Sequence, residues 1–168
     1  MSAKPTGRLA HRKDGLYLML DRLFSAPAVD VWASLTRPDE LETWIGTYTG
    51  SPRTGAVKFL MTAENDAEWE YVSILECTAP YRFEGDFGEG ANEWRALVHL
   101  SEADGMTTLT FGQRLNSAAE AATVGPGWDY YLDRLVAARS GRVLPEREHY
   151  IPAHATYYKE LVVPRKSA

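Results

Sequence analysis

Hydrophobic residues recur at two different periods along this chain, and the changes of period mark out its elements. Leu16 to Phe24 reads as a strand, apolar on both faces, with Asp21 and Arg22 as polar positions. After Ser25-Ala-Pro27 the spacing turns helical: Ala28, Val31, Trp32 and Leu35 repeat on one side, and Pro27 suits a first helical turn. Thr36-Arg-Pro38 starts a second short helix, with Thr36 as candidate cap and acids in the first turn facing the helix dipole. From Gly46 to Leu115 the chain is strand and turn. Its runs are Gly55 to Thr62, Glu68 to Thr78, Tyr81 to Phe87, Trp94 to Ser101 and Met106 to Leu115. Asp104-Gly105 is a strong hairpin signal. No crossover helix separates these runs, so they form an antiparallel meander.

The helical period returns near Ser117-Ala-Ala-Glu120, which fits a capping box, and lasts to about Ser140. Trp128, Tyr131, Leu132, Leu135 and Val136 make one apolar stripe, and Asp129, Asp133 and Arg134 take the opposite side, expected in water. Gly125-Pro-Gly127 breaks the chain just before the stripe, and Gly141 can end the helix just past it. Strand, helix pair, meander and long helix make an α+β order, with helices on one face of a bent sheet. Such a helix on such a sheet suggests a binding cavity.

Composition narrows the class. At 168 residues the chain is the size of one domain with its own core. Twenty-three acidic against 18 basic side chains argue against a nucleic-acid partner, which would select a basic face. The longest apolar run, Leu16 to Leu20, is too short to span a membrane, and the N-terminus lacks a signal-peptide pattern. A lone Cys77 excludes an internal disulfide and fits a reducing cytoplasmic location. Residues 1–14 are polar and read as a loose segment ahead of a domain over 15–140. The extension 141–168 holds Tyr150, Ile151, Tyr157, Tyr158, Leu161 and Val162, too apolar for a solvated terminus. It is expected to pack on the domain or on a partner subunit.

Three phrases carry a family resemblance. Arg22-Leu-Phe-Ser-Ala-Pro27 with Val31-Trp32, then Thr36-Arg-Pro38 with Leu41 and Trp44, form the first. Val72 through Pro80-Tyr-Arg-Phe83 is the second, and Gly127-Trp128 through Leu132-Asp-Arg-Leu135 the third. Together they resemble the START-like (helix-grip, SRPBCC) superfamily, in its branch of homologues of the activator of the heat-shock chaperone ATPase. The resemblance implies a helix-grip fold: a curved antiparallel sheet of six or seven strands wrapped on the long C-terminal helix. It also implies binding of a small hydrophobic or amphipathic ligand, a lipid or a polyketide-like metabolite. A cyclase- or aromatase-like enzyme and a chaperone-interaction module are the alternatives. Homodimers are common among such domains, so a dimer is a further expectation.

The candidate cavity lining is aromatic: Trp44, Trp69, Tyr71, Phe83, Trp94, Phe111, Trp128 and Tyr131, with Leu132 and Leu135. The same rings could instead simply fill a core. Arg95 and His99 share strand parity with Leu97, against Trp94, Ala96, Val98 and Leu100. They either supply a ligand's polar end or lie on the solvent face. Glu68, Glu70, Glu76 and Glu84 read as solvated or as cross-strand partners of Arg82 and Arg95. His149 and His154 have no cysteine partner or metal-binding helix pattern beside them, and Cys77 has no sequence-adjacent base. No catalytic constellation, metal site or cofactor motif is expected.

Overall fold

The computed structural model describes residues 3–166. Its strands are β1 (Arg8–Arg12), β2 (Gly15–Phe24), β3 (Thr47–Thr49), β4 (Ala56–Leu60), β5 (Glu70–Thr78), β6 (Arg82–Phe87), β7 (Trp94–Ala103) and β8 (Met106–Leu115). Two short helices, α1 (Ala28–Thr36) and α2 (Pro38–Leu41), follow β2, and α3 (Ala121–Ser140) and α4 (Ala155–Lys159) follow β8. The strands form one open antiparallel sheet in the order β1-β2-β8-β7-β6-β5-β4-β3. This is the α+β order of the helix-grip fold, with eight strands in place of the six or seven expected.

The two extra strands are those whose sequences hide the period. Residues 1–14, expected to be loose, contain β1, in which Arg8, His11 and Arg12 mask a strand that pairs Leu9 with Leu18. Leu9 is buried, and Arg8 pairs with Asp21 at 2.5 Å. β3 is three residues long, too short to show an alternation, and is held by pairing Tyr48 with Phe59. Turn chemistry is where the sequence reads directly. Asp104 (φ 53°) and Gly105 (φ 75°) both take the left-handed geometry of a tight hairpin between β7 and β8.

The chain forms two compact units, and β2 and β8 each contribute residues to both. In the unit Arg22–Phe111, Ala28, Val31 and Trp32 of α1 are buried as the spacing predicts, whereas Leu35 is half-buried and Ser34 takes the fourth buried position. The Ala28 N–H donates to Glu102 Oε1 (2.5 Å), and Thr107 Oγ1 donates to the Ala26 carbonyl (2.7 Å). These bonds tie the start of α1 to the β7–β8 hairpin. Thr36 does not cap α2: its hydroxyl bonds back to the Trp32 carbonyl at 2.8 Å, and Pro38 opens α2 without a side-chain cap. The Trp44 indole N–H reaches the Ser34 carbonyl at 2.9 Å, which places Trp44 in the core.

The other unit, Met1–Asp21 with Gly112–Ala168, is organised by α3. The expected capping box does not form: Ser117 makes no side-chain cap bond, and Glu120 Oε2 accepts the N–H of Asn116, one residue before the cap, at 2.7 Å. The helix does not wait for the glycine-proline-glycine break: Pro126 sits inside it, at the cost of one backbone bond to Ala122. Gly141 closes it in the left-handed conformation (φ 66°). Tyr131, Leu132 and Leu135 are buried, and Trp128 is half-buried.

The opposite side of α3 corrects the sequence reading. Asp129, expected in water, is fully buried. The chain after Gly141 lays Tyr150, His154 and Tyr158, all buried, along that side. The helix is therefore covered on the face that its own period marks as polar. Within this unit the extension packs on its own chain.

Candidate functional site

Strand register in the unit Arg22–Phe111 sorts side chains onto two faces. Across β5, β6 and β7, Val72 stands opposite Phe87 and Phe87 opposite Trp94; Gly85 pairs with Ile74 and Ala96; Phe83 pairs with Cys77 and Val98. Towards the sheet edge, Val57 continues the Val72 row, and Tyr48, Phe59 and Glu70 form the next. One face therefore carries an aromatic row. Phe87 and Trp94 stack with centroids 4.4 Å apart, and Phe59 meets Phe87 edge-on at 5.8 Å. Phe83 lies over Gly85, where an added Cβ would come within 2.9 Å of its ring. Phe83, Phe87, Trp94 and Val98 are only half-buried, so this row keeps accessible surface that a filled core would not.

A β-bulge between Ile74 and Glu76 makes this arrangement possible. The inserted residue shifts the alternation by one, so Ile74 and Cys77 share a face although three positions apart. Cys77 is exposed, and desolvation holds its thiol above the ordinary value. Burial likewise raises the Tyr48 phenol, with Cys77 adding to the effect, and that hydroxyl donates to the Thr36 carbonyl at 2.6 Å.

The second face collects the charge. Arg95 is aligned with Asp86 and holds it through two bonds, 2.7 Å from Nε and 2.9 Å from Nη2. Arg82 stands between Thr78 and His99 and pairs with Glu76 at 2.7 Å. Lys58 lies over the Tyr71 ring at 5.4 Å. The register thus brings Phe83 and Trp94 together and puts Arg95, His99 and Tyr71 on the other side. Trp69, just before β5, and Tyr71 are each about half exposed, at 48% and 51%. Trp44 and Phe111 are buried.

The remaining candidates lie on α3 in the other unit. Trp128 donates from its indole nitrogen to Gln113 Oε1 at 2.6 Å and tilts against Tyr131. Beside them is a buried polar cluster that the sequence reading did not single out. The Asp129 carboxylate accepts from Thr6 Oγ1 (2.6 Å), from the Thr6 N–H (3.3 Å) and, in a short bond, from the Tyr158 hydroxyl. Tyr158 in turn accepts the Gly7 N–H at 3.1 Å. His154 Nε2 donates to the Ala3 carbonyl at 3.0 Å, leaving Nδ1 3.5 Å from Asp129. Burial first, and Asp129 second, push the Tyr158 phenol well above its ordinary value. Asp129, His154 and Tyr158 are buried while Thr6 sits at the surface, so the cluster holds the segments around Thr6 and Tyr158 on α3. Gly125, one turn before Asp129, with the tyrosines of the tail, is the signal that could have marked it: a small residue where the Tyr158 ring must approach.

The histidines separate. His149 is exposed, 4.0 Å from Glu146, while His154 is buried. Among the described residues no group of three or more His, Cys, Asp and Glu side chains could hold a metal ion. No helix there is long and apolar enough to cross a membrane.

Residues 25–139 match the family described as Activator of Hsp90 ATPase homolog 1-like protein. No curated protein matches the chain. Among solved structures, CalU16 from Micromonospora echinospora is similar with TM-score 0.75 at 22% identity, over 96% of this chain and 98% of that one. The protein encoded by gene BPP1335 from Bordetella parapertussis is similar with TM-score 0.73 at 22% identity, over 98% and 95%. DynU16, described as a protein in the dynemicin biosynthetic locus, is similar with TM-score 0.66 at 18% identity, over 78% of this chain and 50% of its own. At these identities the likeness is one of fold.

Proposed function

Because the chain belongs to the Activator of Hsp90 ATPase homolog 1-like family, with 25–139 matched, we propose that it binds a small hydrophobic or amphipathic molecule against the aromatic face of β4 to β7. The carrying observation is the half-buried row of Phe83, Phe87 and Trp94, whose rings are aligned by register and still accessible. A flat apolar ligand laid on that row removes apolar surface from water at about 25 cal/mol per Å². The similarity to DynU16 fits a metabolite of biosynthetic origin.

A cyclase-like enzyme would need an acid and a base together on that face. The Tyr48 hydroxyl already donates its proton to the Thr36 carbonyl, and Glu102 is taken up by the Ala28 N–H, so neither stands free beside Glu70 as its partner in proton transfer. Binding is therefore the better supported reading. Titration with 1-naphthol, followed by tryptophan fluorescence, tests it. Phe87→Ala is expected to weaken binding about tenfold or more, and Tyr71→Ala, on the other face, to leave it unchanged. Equal affinities for Phe87→Ala and wild type would defeat the assignment.

A second reading, a protein-interaction module, is favoured by the exposed apolar side chains Trp69, Tyr71 and Leu75. If it holds, Trp69→Ala with Tyr71→Ala abolishes stimulation of an Hsp90 ATPase while 1-naphthol binding survives. Unchanged stimulation in the double variant would exclude that surface.

A further inference from the structure

Charge is distributed unevenly between the two faces of β3 to β7. Every basic or imidazole side chain that the strand register places there goes to the face opposite the aromatic row: Lys58, Arg82, Arg95 and His99. Glu76, Glu84 and Asp86 go with them. On the aromatic face Glu102, by strand parity, is already engaged, accepting the Ala28 N–H. Glu70 is different. It lies directly across from Phe59, one row from Phe87 and Trp94, and is half-buried. Among the described residues its carboxylate makes no hydrogen bond or ion pair. A carboxylate half removed from water among rings, with the neighbouring cations all turned away, lacks the counter-charge that such a position calls for.

We propose that Glu70 recognises a cationic nitrogen, so that the ligand of this face is an amphipathic amine or quaternary ammonium rather than an acid or a neutral molecule. This rests on the binding assigned to the aromatic face above. The apolar body lies on Phe87 and Trp94, and the nitrogen sits at the Tyr48–Phe59–Glu70 end. There the carboxylate supplies the opposite charge, and the half-buried Tyr48 ring supplies a negative face that attracts a cation. Arg95, the sequence candidate for a ligand's polar end, is held by Asp86 on the other face.

Three probes of one shape test the inference at pH 7: 1-naphthylmethylamine (a cation), 1-naphthalenemethanol (neutral) and 1-naphthoate (an anion). Calorimetric titration of wild type is expected to show the cation binding about tenfold tighter than the alcohol, and the anion weakest. Glu70→Gln, which keeps the side-chain shape, should bring the cation to the level of the alcohol. Glu84→Gln, on the opposite face, should leave the preference intact. A wild type that binds the alcohol and the cation equally overturns the inference alone and needs no variant. So does a preference that survives in Glu70→Gln. If neither the alcohol nor the cation binds folded wild type, the ligand-binding reading falls and this inference falls with it.

Discussion

Replacing Tyr158 with phenylalanine removes one hydroxyl from a slot whose walls are two glycines. A Cβ on either Gly7 or Gly125 would collide with the Tyr158 ring, so the ring already fills the space and the substitution changes only polar contacts. Two are lost: the donation to Asp129 and the acceptance from the Gly7 N–H. A hydrogen bond to a charged partner contributes about 1.5–3 kcal/mol, and leaving a buried N–H unsatisfied costs about 1–3 kcal/mol. Thr6 still donates twice to Asp129, so the carboxylate is not stripped, and a loss of about 3 kcal/mol is expected. In urea, with a slope of about 2 kcal/mol per molar, the midpoint falls by about 1.5 M. Tyr157→Phe is the matched control. Its hydroxyl donates to the Gly7 carbonyl at 2.8 Å from a partly exposed side chain, and it should cost less than about 1 kcal/mol. A double-mutant cycle with Asp129→Asn should then show coupling, because the two groups share one bond. A loss for Tyr158→Phe below about 0.5 kcal/mol, or one equal to that of Tyr157→Phe, refutes the view that the chain ends are locked onto α3 through this hydroxyl.

The same phenol predicts alkaline behaviour. Its folded-state pKa is raised, so its contribution is complete below the unfolded value near 10 and is lost as pH rises above it. Between pH 10 and 11.5 wild type should lose stability more steeply than Tyr158→Phe, by up to about 1.4 kcal/mol per pH unit; parallel curves would contradict this. Gly125→Ala should push the Tyr158 ring out of its slot and cost about 1–3 kcal/mol, and a variant as stable as wild type in thermal unfolding would show that the slot is not filled as described. Leu135→Ala, at a fully buried position, should cost about 2–5 kcal/mol by urea unfolding; a loss under half a kilocalorie would remove the α3 stripe from the core.

The long periodic segments were legible because burial imposes its period on them. Tyr131, Leu132 and Leu135 are buried where the stripe puts them, and β7 and β8 meet at the Asp104-Gly105 turn. β1 was not legible because arginine and histidine occupy most of its positions, and a strand of that composition forms only when a neighbour offers its backbone. The candidate site was half legible. Strand parity separates Arg95 and His99 from Trp94 within β7. The alignment of Trp94 with Phe87, Val72 and Val57 depends on register across four strands. The bulge after Ile74 then changes which residues of β5 share a face, and no pattern within β5 alone announces it.

By itself the sequence determined the order of its longer elements and the α+β class, because both depend on local spacing and turn chemistry that act over a few residues, while the family was carried by the resemblance of whole phrases. Only the tertiary structure decided the fate of the charged groups. Asp129 lies opposite the apolar stripe of α3 and would be solvated on an isolated helix, yet it is buried because residues more than twenty positions away in sequence bring Tyr158, His154 and Thr6 to it. Glu70 and Arg95 are both strand residues beside aromatic neighbours, and register alone sends one to the aromatic face and the other to Asp86. A charge takes its meaning from what surrounds it in space, and in a sheet that is set by the neighbouring strands rather than by the adjacent residues.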